Sequence, residues 1–457
     1  MERIIELLEN KKFGQLRKIL EDANPVDLAP VFDEISAEGQ IVLFRLLPKE
    51  LAAETFVELD ADMQEDLIIK FSDKELKAVI EELYLDDAVD IIEEMPANVV
   101  KRILRQSDKE TRLAINELLK YPKDSAGSIM TPEYVDLKKG MTVEQAIARI
   151  RKTGVDKETI YTCYVVNRNR KLEGIVTVRK LLLADNDAII EDIMETNVIF
   201  AETSEDKEEV ARLFNKYDLY VVPVVDKENR LVGIVTFDDA MDVIEEENTE
   251  DIEKMAAIIS ADKPYLKLGI FEIVKNRIPW LLILMLSATV TGAIISSFES
   301  KLKAIVVLTA FIPMLMGTGG NSGSQSSVTV IRGLSLGEIE IRDILEVIWK
   351  ELRVGVLCGV ILGVINFVKM MAVDYAILGS FTGYTINESI LISLVVCLTL
   401  AATVVLAKLV GCVLPILAEA LKLDPAVMAS PFITTIVDAL SLVIYFLLTN
   451  VLLSAMI

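Results

Sequence analysis

Residues 313–325 read PMLMGTGGNSGSQ, and residues 431–446 read PFITTIVDALSLVIYF. Each stretch lies within an apolar run, and about 20 apolar residues are enough to cross a bilayer. The first brings four glycines and several polar side chains into its run, and the second brings one aspartate, Asp438. Loosened backbone at membrane depth must line a cavity or be buried in protein. Glycines also allow helices to pack closely, and both interpretations of the first stretch stay open.

Asp438 lies about eight residues into the last apolar run, and no Lys or Arg follows it there. A carboxylate at that depth costs a few kcal/mol unless it faces water, a cation or a partner. Oxygen ligands without nitrogen favour a hard cation, and Mg²⁺, Na⁺, Ca²⁺, Mn²⁺ and H⁺ all remain open. A structural aspartate, hydrogen-bonded to a neighbouring helix or protonated, is the alternative.

The charge is unevenly distributed along the 457 residues, which have a net charge of −23. Residues 1–263 hold 58 acidic and 35 basic residues, whereas residues 264–457 hold 12 of each. An acidic soluble part repels nucleic acid and attracts cations. Because the chain has no histidine, imidazole catalysis and histidine-ligated metals are excluded. Four scattered cysteines without a CxxC motif argue against a disulfide framework.

The apolar part predicts five membrane spans. They run roughly over residues 279–298, 302–330, 354–371, 389–417 and 431–457. Lys and Arg concentrate before the first span and between the second and third. This asymmetry predicts a cytoplasmic N-terminus and an extracellular C-terminus in a multi-pass plasma-membrane protein.

Residues 1–128 read as short amphipathic helices at irregular intervals, which predicts a helical repeat stack. Residues 129–245 contain an internal duplication in which Met130 matches Met194, and the strand GIVT occurs in both halves. This duplication resembles a tandem pair of CBS domains. Such pairs often bind adenosine nucleotides through an acid after the GIVT strand. Asp239 matches that acid, but Lys180 replaces it in the first half, so ATP binding is left open.

A crowd of acidic residues follows the duplication, directly before the apolar part. Like charges three and four residues apart destabilise an isolated helix by a few tenths of a kcal/mol each. The segment therefore predicts a helix that meets cations or a basic partner, with a solvated acidic linker as the alternative.

In this order, the helical repeat, the CBS pair, the acidic helix and the spans with PxxxGTGGNxGxQ and a late Asp resemble the MgtE family of magnesium channels. The resemblance implies a multidomain fold: an all-α N-terminal domain, an α+β CBS pair, an acidic plug helix and a five-helix transmembrane domain. The expected boundaries are 1–128, 129–245, 239–263 and 264–457.

The resemblance also implies the roles of individual residues. It predicts a homodimer with a pore on its two-fold axis, where Asp438 holds hydrated Mg²⁺ and Gly317, Gly320 and Asn321 line the path. Ser324, Ser430 and Thr434 occupy positions where the family can carry other small or amide residues. It further predicts that cytosolic Mg²⁺ bridges acids between domains. These sensor candidates are Glu54, Asp86, Asp90, Asp206, Asp218, Asp239, Asp242, Glu247, Glu250, Asp251 and Asp424.

The sequence thus predicts a Mg²⁺-selective channel rather than an enzyme, closed by Mg²⁺ binding to its acidic cytosolic domains. A cation-coupled secondary transporter is the nearest alternative, although such proteins normally show repeated halves in the membrane. An intramembrane aspartyl enzyme would need two apposed acids. A nucleotide-sensing receptor would leave Asp438 and the GTGGN run without a role.

Overall fold

The computed structural model describes residues 2–261, 265–428 and 430–454. The chain divides into two compact units, Met1–Glu245 and Glu246–Ile457. The boundary between them falls inside one helix. The last residues of the predicted plug segment, 262 and 263, lie outside the described residues.

Short helices make up the N-terminal part of the first unit, as the amphipathic pattern predicts. They are α1 (Glu2–Glu9), α2 (Phe13–Leu20), α3 (Pro25–Glu34), α4 (Ala37–Leu46), α5 (Lys49–Val57), α6 (Ala61–Lys70), α7 (Asp73–Ile80), α8 (Leu85–Glu94), α9 (Ala97–Gln106) and α10 (Lys109–Leu118).

The short helices begin at polar caps and share one apolar core. Ser36, Asp60 and Ser72 each accept a hydrogen bond from a backbone N–H in the first turn that follows. Such caps satisfy donors that a helix of about ten residues would otherwise leave unpaired. In the core the Phe44 ring lies 4.8 Å from that of Phe71, centroid to centroid.

The predicted duplication forms two three-stranded sheets with the same topology. Their strands are β1 (Asp136–Leu137), β2 (Thr162–Val166), β3 (Leu172–Thr177), β4 (Ala201–Glu202), β5 (Val221–Val225) and β6 (Leu231–Thr236). The accompanying helices are α11 (Val143–Thr153), α12 (Val178–Leu183), α13 (Ile190–Ile193), α14 (Lys207–Tyr217) and α15 (Phe237–Met255).

The two sheets agree in register as well as in strand order. In each, the first strand pairs parallel to the second, which pairs antiparallel to the GIVT strand. Each has a register shift at the end of its middle strand. The glycine of GIVT packs against the matched methionine of the other half: Gly174 against Met194, and Gly233 against Met130. The internal repeat in the sequence is therefore a structural repeat.

The second unit contains long apolar helices. They are α16 (Ile270–Ser297), the short α17 (Glu299–Ala304), α18 (Ile312–Ser335), α19 (Ile344–Lys369), α20 (Ile386–Ala420) and α21 (Ser430–Leu452).

Four helical segments of the described residues are long and apolar enough to cross a membrane: Ile270–Ser297, Ile341–Tyr375, Ile386–Ala420 and Pro425–Leu452. Helix α18 has 24 residues, but the glycine and serine residues in it lower its hydropathy. Several apolar helices are thus confirmed, whereas the count of five spans stays a prediction.

The glycine-rich run does not loosen the backbone of α18. The expectation of non-helical backbone is wrong here, because the helix continues unbroken through residues 317–325. Gly319, Gly320 and Gly323 are buried against α20 and α21, so tertiary packing overrides the low helix propensity of glycine. These glycines allow close helix packing, which is compatible with a pore beside them.

The closest approach joins α18 to α20, where a Cβ added at Gly411 would overlap the carbonyl oxygen of Gly323. We expect Gly411→Ala to lower the free energy of unfolding by about 1–3 kcal/mol, the usual cost of overpacking. Gly292→Ala in α16 is the matched control, since a Cβ there meets nothing within 4 Å. Thermal unfolding in detergent tests this, and equal midpoints for the two variants would contradict the packing described.

Candidate metal sites

Asp438 lies on α21, the helix that packs against the glycines of α18. Its Oδ1 atom is buried and has no hydrogen-bond partner among the described residues. One turn earlier on α21, the Thr434 side chain contacts Gly320, at 2.8 Å from where a Cβ would lie. Gly317 and Asn321 lie four residues apart on a part of α18 that this chain leaves exposed. The side chain of Ser430 lies outside the described part of the chain.

Carboxylates from three parts of the first unit converge on Asp86. One carboxylate oxygen each of Asp86, Glu133 and Glu158 lies within 4.8 Å of the others. Asp87 and Asp239 lie close enough to influence the same groups electrostatically. We call these five residues, with Asp90 at their exposed rim, the Asp86 cluster.

Local structure explains how the cluster forms. Asp86 lies in the first turn of α8, and Glu133 accepts a hydrogen bond from the Leu85 N–H at 3.2 Å. The Glu158 N–H donates to the Glu133 carbonyl at 3.0 Å. Asp239 begins α15, and its carboxylate accepts a 2.5 Å hydrogen bond from the Thr236 hydroxyl. Two CBS segments are thereby held against the start of a helix of the N-terminal domain.

Among the described residues, two carboxylates of the cluster each have a buried oxygen without a hydrogen-bond partner. Asp86 is only 8% exposed, and its Oδ1 atom has no hydrogen-bond partner in the part of the chain that the structure describes. Glu158 Oε2 is in the same situation. A buried carboxylate normally pairs with a cation or coordinates a metal. The donor set, several carboxylate oxygens and no nitrogen, is the one that Mg²⁺ and Ca²⁺ prefer.

The pKa values of the carboxyl groups in the Asp86 cluster are raised by burial and by mutual repulsion. Burial, followed by the charge of Asp87, raises the pKa of Asp86 to about 7. Burial, followed by the charge of Asp86, raises the pKa of Glu158 to about 8 and that of Asp239 to about 7. Burial of part of its carboxyl group, followed by the charge of Asp86, also raises the pKa of Asp90. The carboxylates repel one another, as the ligands of a divalent ion do before it binds.

A second acidic group lies in the second unit and contains a lysine. The Lys254 ammonium, on α15, donates to Glu250 at 2.5 Å and to Asp424 at 2.6 Å. Burial opposes the charge, but the hydrogen bonds to Asp424 and Glu250 outweigh it and raise the pKa of Lys254. At Glu250 the acidic helix has a cation of its own, Lys254, whereas binding of a metal ion or of a basic partner by this helix stays a prediction.

The remaining predicted sensor residues are dispersed. Asp206 caps α14, and Asp218 ends that helix in a left-handed conformation with φ 52°. Glu54 is exposed on α5, on the side of Tyr84. Asp242, Glu247 and Asp251 lie along α15.

Sequence reasoning missed Asp87, Glu133 and Glu158 as members of the cluster. A usable signal existed for Glu133: the alignment of Met130 with Met194 places Asn197 opposite it, so the carboxylate belongs to one repeat only. Glu158 lies in a loop without helical or strand periodicity, and no pattern marks it.

The residues present fit an adenosine nucleotide poorly. In the first CBS half Lys180 replaces the expected acid, and its ammonium lies 3.4 Å from Glu195. In the second half the carboxylate of Asp239 already accepts from Thr236 and belongs to an acidic cluster that would repel phosphates. ATP binding at the CBS pair stays a prediction.

Comparisons with known proteins agree with this architecture. A family model described as a divalent cation transporter matches residues 312–448, the MgtE intracellular N domain matches residues 23–124, and CBS domains match residues 126–187 and 190–246. The chain is 38% identical to the magnesium transporter MgtE of Thermus thermophilus, over 98% of both chains. It is 32% identical to that of Bacillus subtilis, over 97% of this chain and 95% of the other.

Solved structures match the first unit. The cytosolic domain of the Mg²⁺ channel MgtE in complex with ATP aligns with a TM-score of 0.51 at 40% identity, covering 52% of this chain and 98% of that chain. The soluble part of a magnesium transporter aligns with a TM-score of 0.51 at 29% identity, covering 54% and 97%.

The fold and the matched domains define a multi-pass membrane protein of the divalent cation transporter class, not an enzyme. Because the similarity extends over nearly the whole chain, the protein belongs to the MgtE family. The resemblance in the sequence is confirmed, whereas the site residues and the domain boundaries stay predictions.

The raised pKa values predict how stability depends on pH without metal. Carboxylates whose native pKa exceeds the unfolded value, near 4, bind protons more tightly in the folded state. Their contribution is complete below about pH 4 and is lost as the pH rises through 7 to 8. In EDTA, the first unit of the full chain should therefore unfold at a lower temperature at pH 8.5 than at pH 5.5.

Glu158→Gln should weaken this pH dependence and raise the unfolding temperature at pH 8.5, because it removes one repelling carboxylate. The exposed Glu9 supplies the matched control, Glu9→Gln, which should change neither. Circular dichroism of the full chain in detergent measures both variants. An unchanged pH dependence in Glu158→Gln would contradict the repulsion between carboxylates described for the cluster.

Proposed function

We propose that this protein is a Mg²⁺-selective channel for magnesium uptake, closed when Mg²⁺ binds its acidic cytosolic domains. The observation that carries the proposal is Asp438, whose buried Oδ1 lacks a partner among the described residues of an apolar, glycine-packed helix unit. The naming of full-length relatives as magnesium transporters supports Mg²⁺ as the substrate.

The proposed pore uses the ion's hydration shell. Mg²⁺ gives up its waters reluctantly and is usually held by one or two carboxylates through retained waters. One Asp438 from each subunit of a homodimer would provide such a pair. Gly317 and Asn321, exposed in the single chain, and Gly320 beside Thr434 would line the path that leads to it.

The proposed sensor uses the excess of acidic residues. Each chain carries a net charge of −23, so two metal-free cytosolic parts repel one another. Mg²⁺ bound in the Asp86 cluster, and by the acids of α15 and Asp424, would remove this repulsion and favour the closed state. Moving a two-state equilibrium from 1:99 to 99:1 takes about 5.5 kcal/mol of differential binding. Several weak oxygen sites acting together can provide it.

The proposed orientation follows from the loops. Lys and Arg residues cluster before the first span and between the second and third, and such loops stay in the cytoplasm. The N-terminal domains and the sensor would then face the cytoplasm, and the C-terminus would lie outside.

Asp438→Asn keeps the shape of the side chain and removes its charge. In liposomes loaded with a Mg²⁺-sensitive dye, we expect at least about a tenfold loss of influx, since about 1.4 kcal/mol corresponds to tenfold. Thr435→Val is the matched control on the same helix, because the Thr435 hydroxyl donates to the Pro431 carbonyl of its own helix at 3.0 Å. Native influx through Asp438→Asn would refute the pore, and single-channel currents in the native protein separate a channel from a coupled transporter.

Asp86→Asn, Asp90→Asn and Asp239→Asn together should leave the channel open at millimolar internal Mg²⁺, because the cluster can no longer bind the closing ion. Replacing the exposed Glu9, Glu38 and Glu144 by Gln removes the same charge elsewhere and controls for net charge. Patch recordings across an internal Mg²⁺ titration compare the two. Closure at the native Mg²⁺ concentration in the cluster variant would count against the sensor.

A further inference from the structure

A charged side chain lies buried within the apolar unit, far from Asp438 in the sequence. Lys408 occupies the second half of α20 and is only 6% exposed. It falls within the predicted span 389–417. Lys within a membrane helix is rare, faces the protein interior and usually has a polar partner and a function. Lys408 is therefore expected to have a polar partner and a functional role.

Its partners come from the two neighbouring helices. The Lys408 ammonium donates to the Ser326 hydroxyl of α18 at 3.3 Å, and that hydroxyl donates to Glu351 of α19 at 2.5 Å. The Lys408 ammonium also lies 3.8 Å from the Glu351 carboxylate. The Lys408 side chain is 7% exposed, that of Glu351 is 16% exposed, and Ser326 is 2% exposed. These three side chains form a neutral, buried network, which we call the Lys408 network.

The helix contacts beside the network are made by glycines. Gly323 and Gly411 meet backbone to backbone, one turn from Ser326 and Lys408 respectively. A Cβ added at Gly355, one turn after Glu351, would lie 3.1 Å from Val405 Cα. Small-residue contacts bring helices close. At the Gly323–Gly411 contact the two helix backbones meet without side chains between them, so this contact alone restrains helix rotation weakly.

Polar side chains of α18 add a restraint on the rotation of this helix. Ser326 is held by the Lys408 network, and the adjacent Ser327 hydroxyl donates to the Met428 carbonyl at 3.2 Å. At 3.6 residues per turn, Ser326 lies nine residues, or two and a half turns, after Gly317 and so on the opposite face. The network thus holds the back of the helix whose front carries Gly317 and Asn321.

We propose that the Lys408 network is a positioning device for ion selection: it fixes the rotation of α18, and with it the geometry of the exposed Gly317–Asn321 face. This inference rests on the proposed function, because it assumes that this face lines the ion path. It assigns Lys408, Glu351 and Ser326 no contact with the ion.

A network needed only for folding would behave differently. Replacing a buried ion pair by neutral side chains of similar volume is often neutral for stability, whereas removing one partner leaves an uncompensated charge. The double variant Lys408→Met with Glu351→Met therefore keeps the fold and removes both side chains that hold Ser326. Glu351→Gln alone leaves the lysine unpaired.

The experiment measures influx of Mg²⁺ and of Ca²⁺ into liposomes containing the full chain, per amount of reconstituted protein. The thermal unfolding midpoint of each variant shows whether it is folded. We expect Glu351→Gln to lose at least about tenfold of its Mg²⁺ influx, because a buried charge is left unpaired. The double variant should recover Mg²⁺ influx to within about threefold but admit Ca²⁺, so that the Mg²⁺/Ca²⁺ influx ratio falls at least about tenfold, a difference of about 1.4 kcal/mol. Ser326→Ala, the mildest change, should lower the ratio in the same direction.

Thr399→Val is the matched control, because the buried Thr399 hydroxyl of α20 donates to the Val395 carbonyl of its own helix, at 2.8 Å. Its influx ratio should be native. A native ratio in both the double variant and Ser326→Ala would overturn the inference, and so would a native influx in Glu351→Gln. If the double variant does not fold, the ratio in Ser326→Ala decides. Asp438→Asn in the same liposomes tests the proposed function separately: if it conducts normally the pore assignment fails, whereas if only the ratios are native the positioning role fails.

Discussion

A carboxylate withdrawn from water needs a cation, a proton or a hydrogen-bond donor, and this requirement governs both units of the protein. In the first unit it applies to Asp86 and Glu158, whose buried oxygens lack partners among the described residues. In the second it applies to Asp438. The rest of the fold makes these positions possible by bringing helix starts, loops and glycine-lined contacts together. In the proposed function, the partner that offsets the cost of these groups is a metal ion.

Where the protein provides its own partner, the contrast is informative. Glu351 has Lys408 and Ser326, and Glu250 and Asp424 have Lys254. Each of these acids has a cationic side chain of the same chain beside it. The Asp86 cluster has carboxylates as the neighbours that shift its pKa values. Acids with and without a cationic neighbour thus coexist among the described residues.

Much of the fold could be predicted because repeating patterns in the sequence indicate it. Amphipathic spacing identifies the short helices, and the duplication places Met130 and Met194 in equivalent contacts with Gly233 and Gly174. The glycine-rich run was harder, since local propensity argues against a helix while burial against α20 and α21 maintains one. Patterns describe local structure well, and α18 is decided by tertiary packing.

The side-chain constellations were less accessible, because their members are far apart in sequence. Asp86 and Glu158 are separated by 72 residues and meet only after two domains fold together. Lys254 and Asp424 are 170 residues apart, and Ser326 and Lys408 are 82 apart. Asp438 alone could be identified directly, since one charge in an apolar run is conspicuous without any partner being known.

The lysine on α15 has a consequence for how dissolved ions act on that helix. An ammonium attached to the chain cannot be diluted away, so Glu250 and Asp424 are partly neutralised in any solution. In the proposed function, a divalent ion would have to displace this lysine, and its apparent affinity there would be an exchange constant rather than a simple association constant. The ion concentration at which such a pair would bind therefore depends on one side chain, and a single substitution of Lys254 would change it.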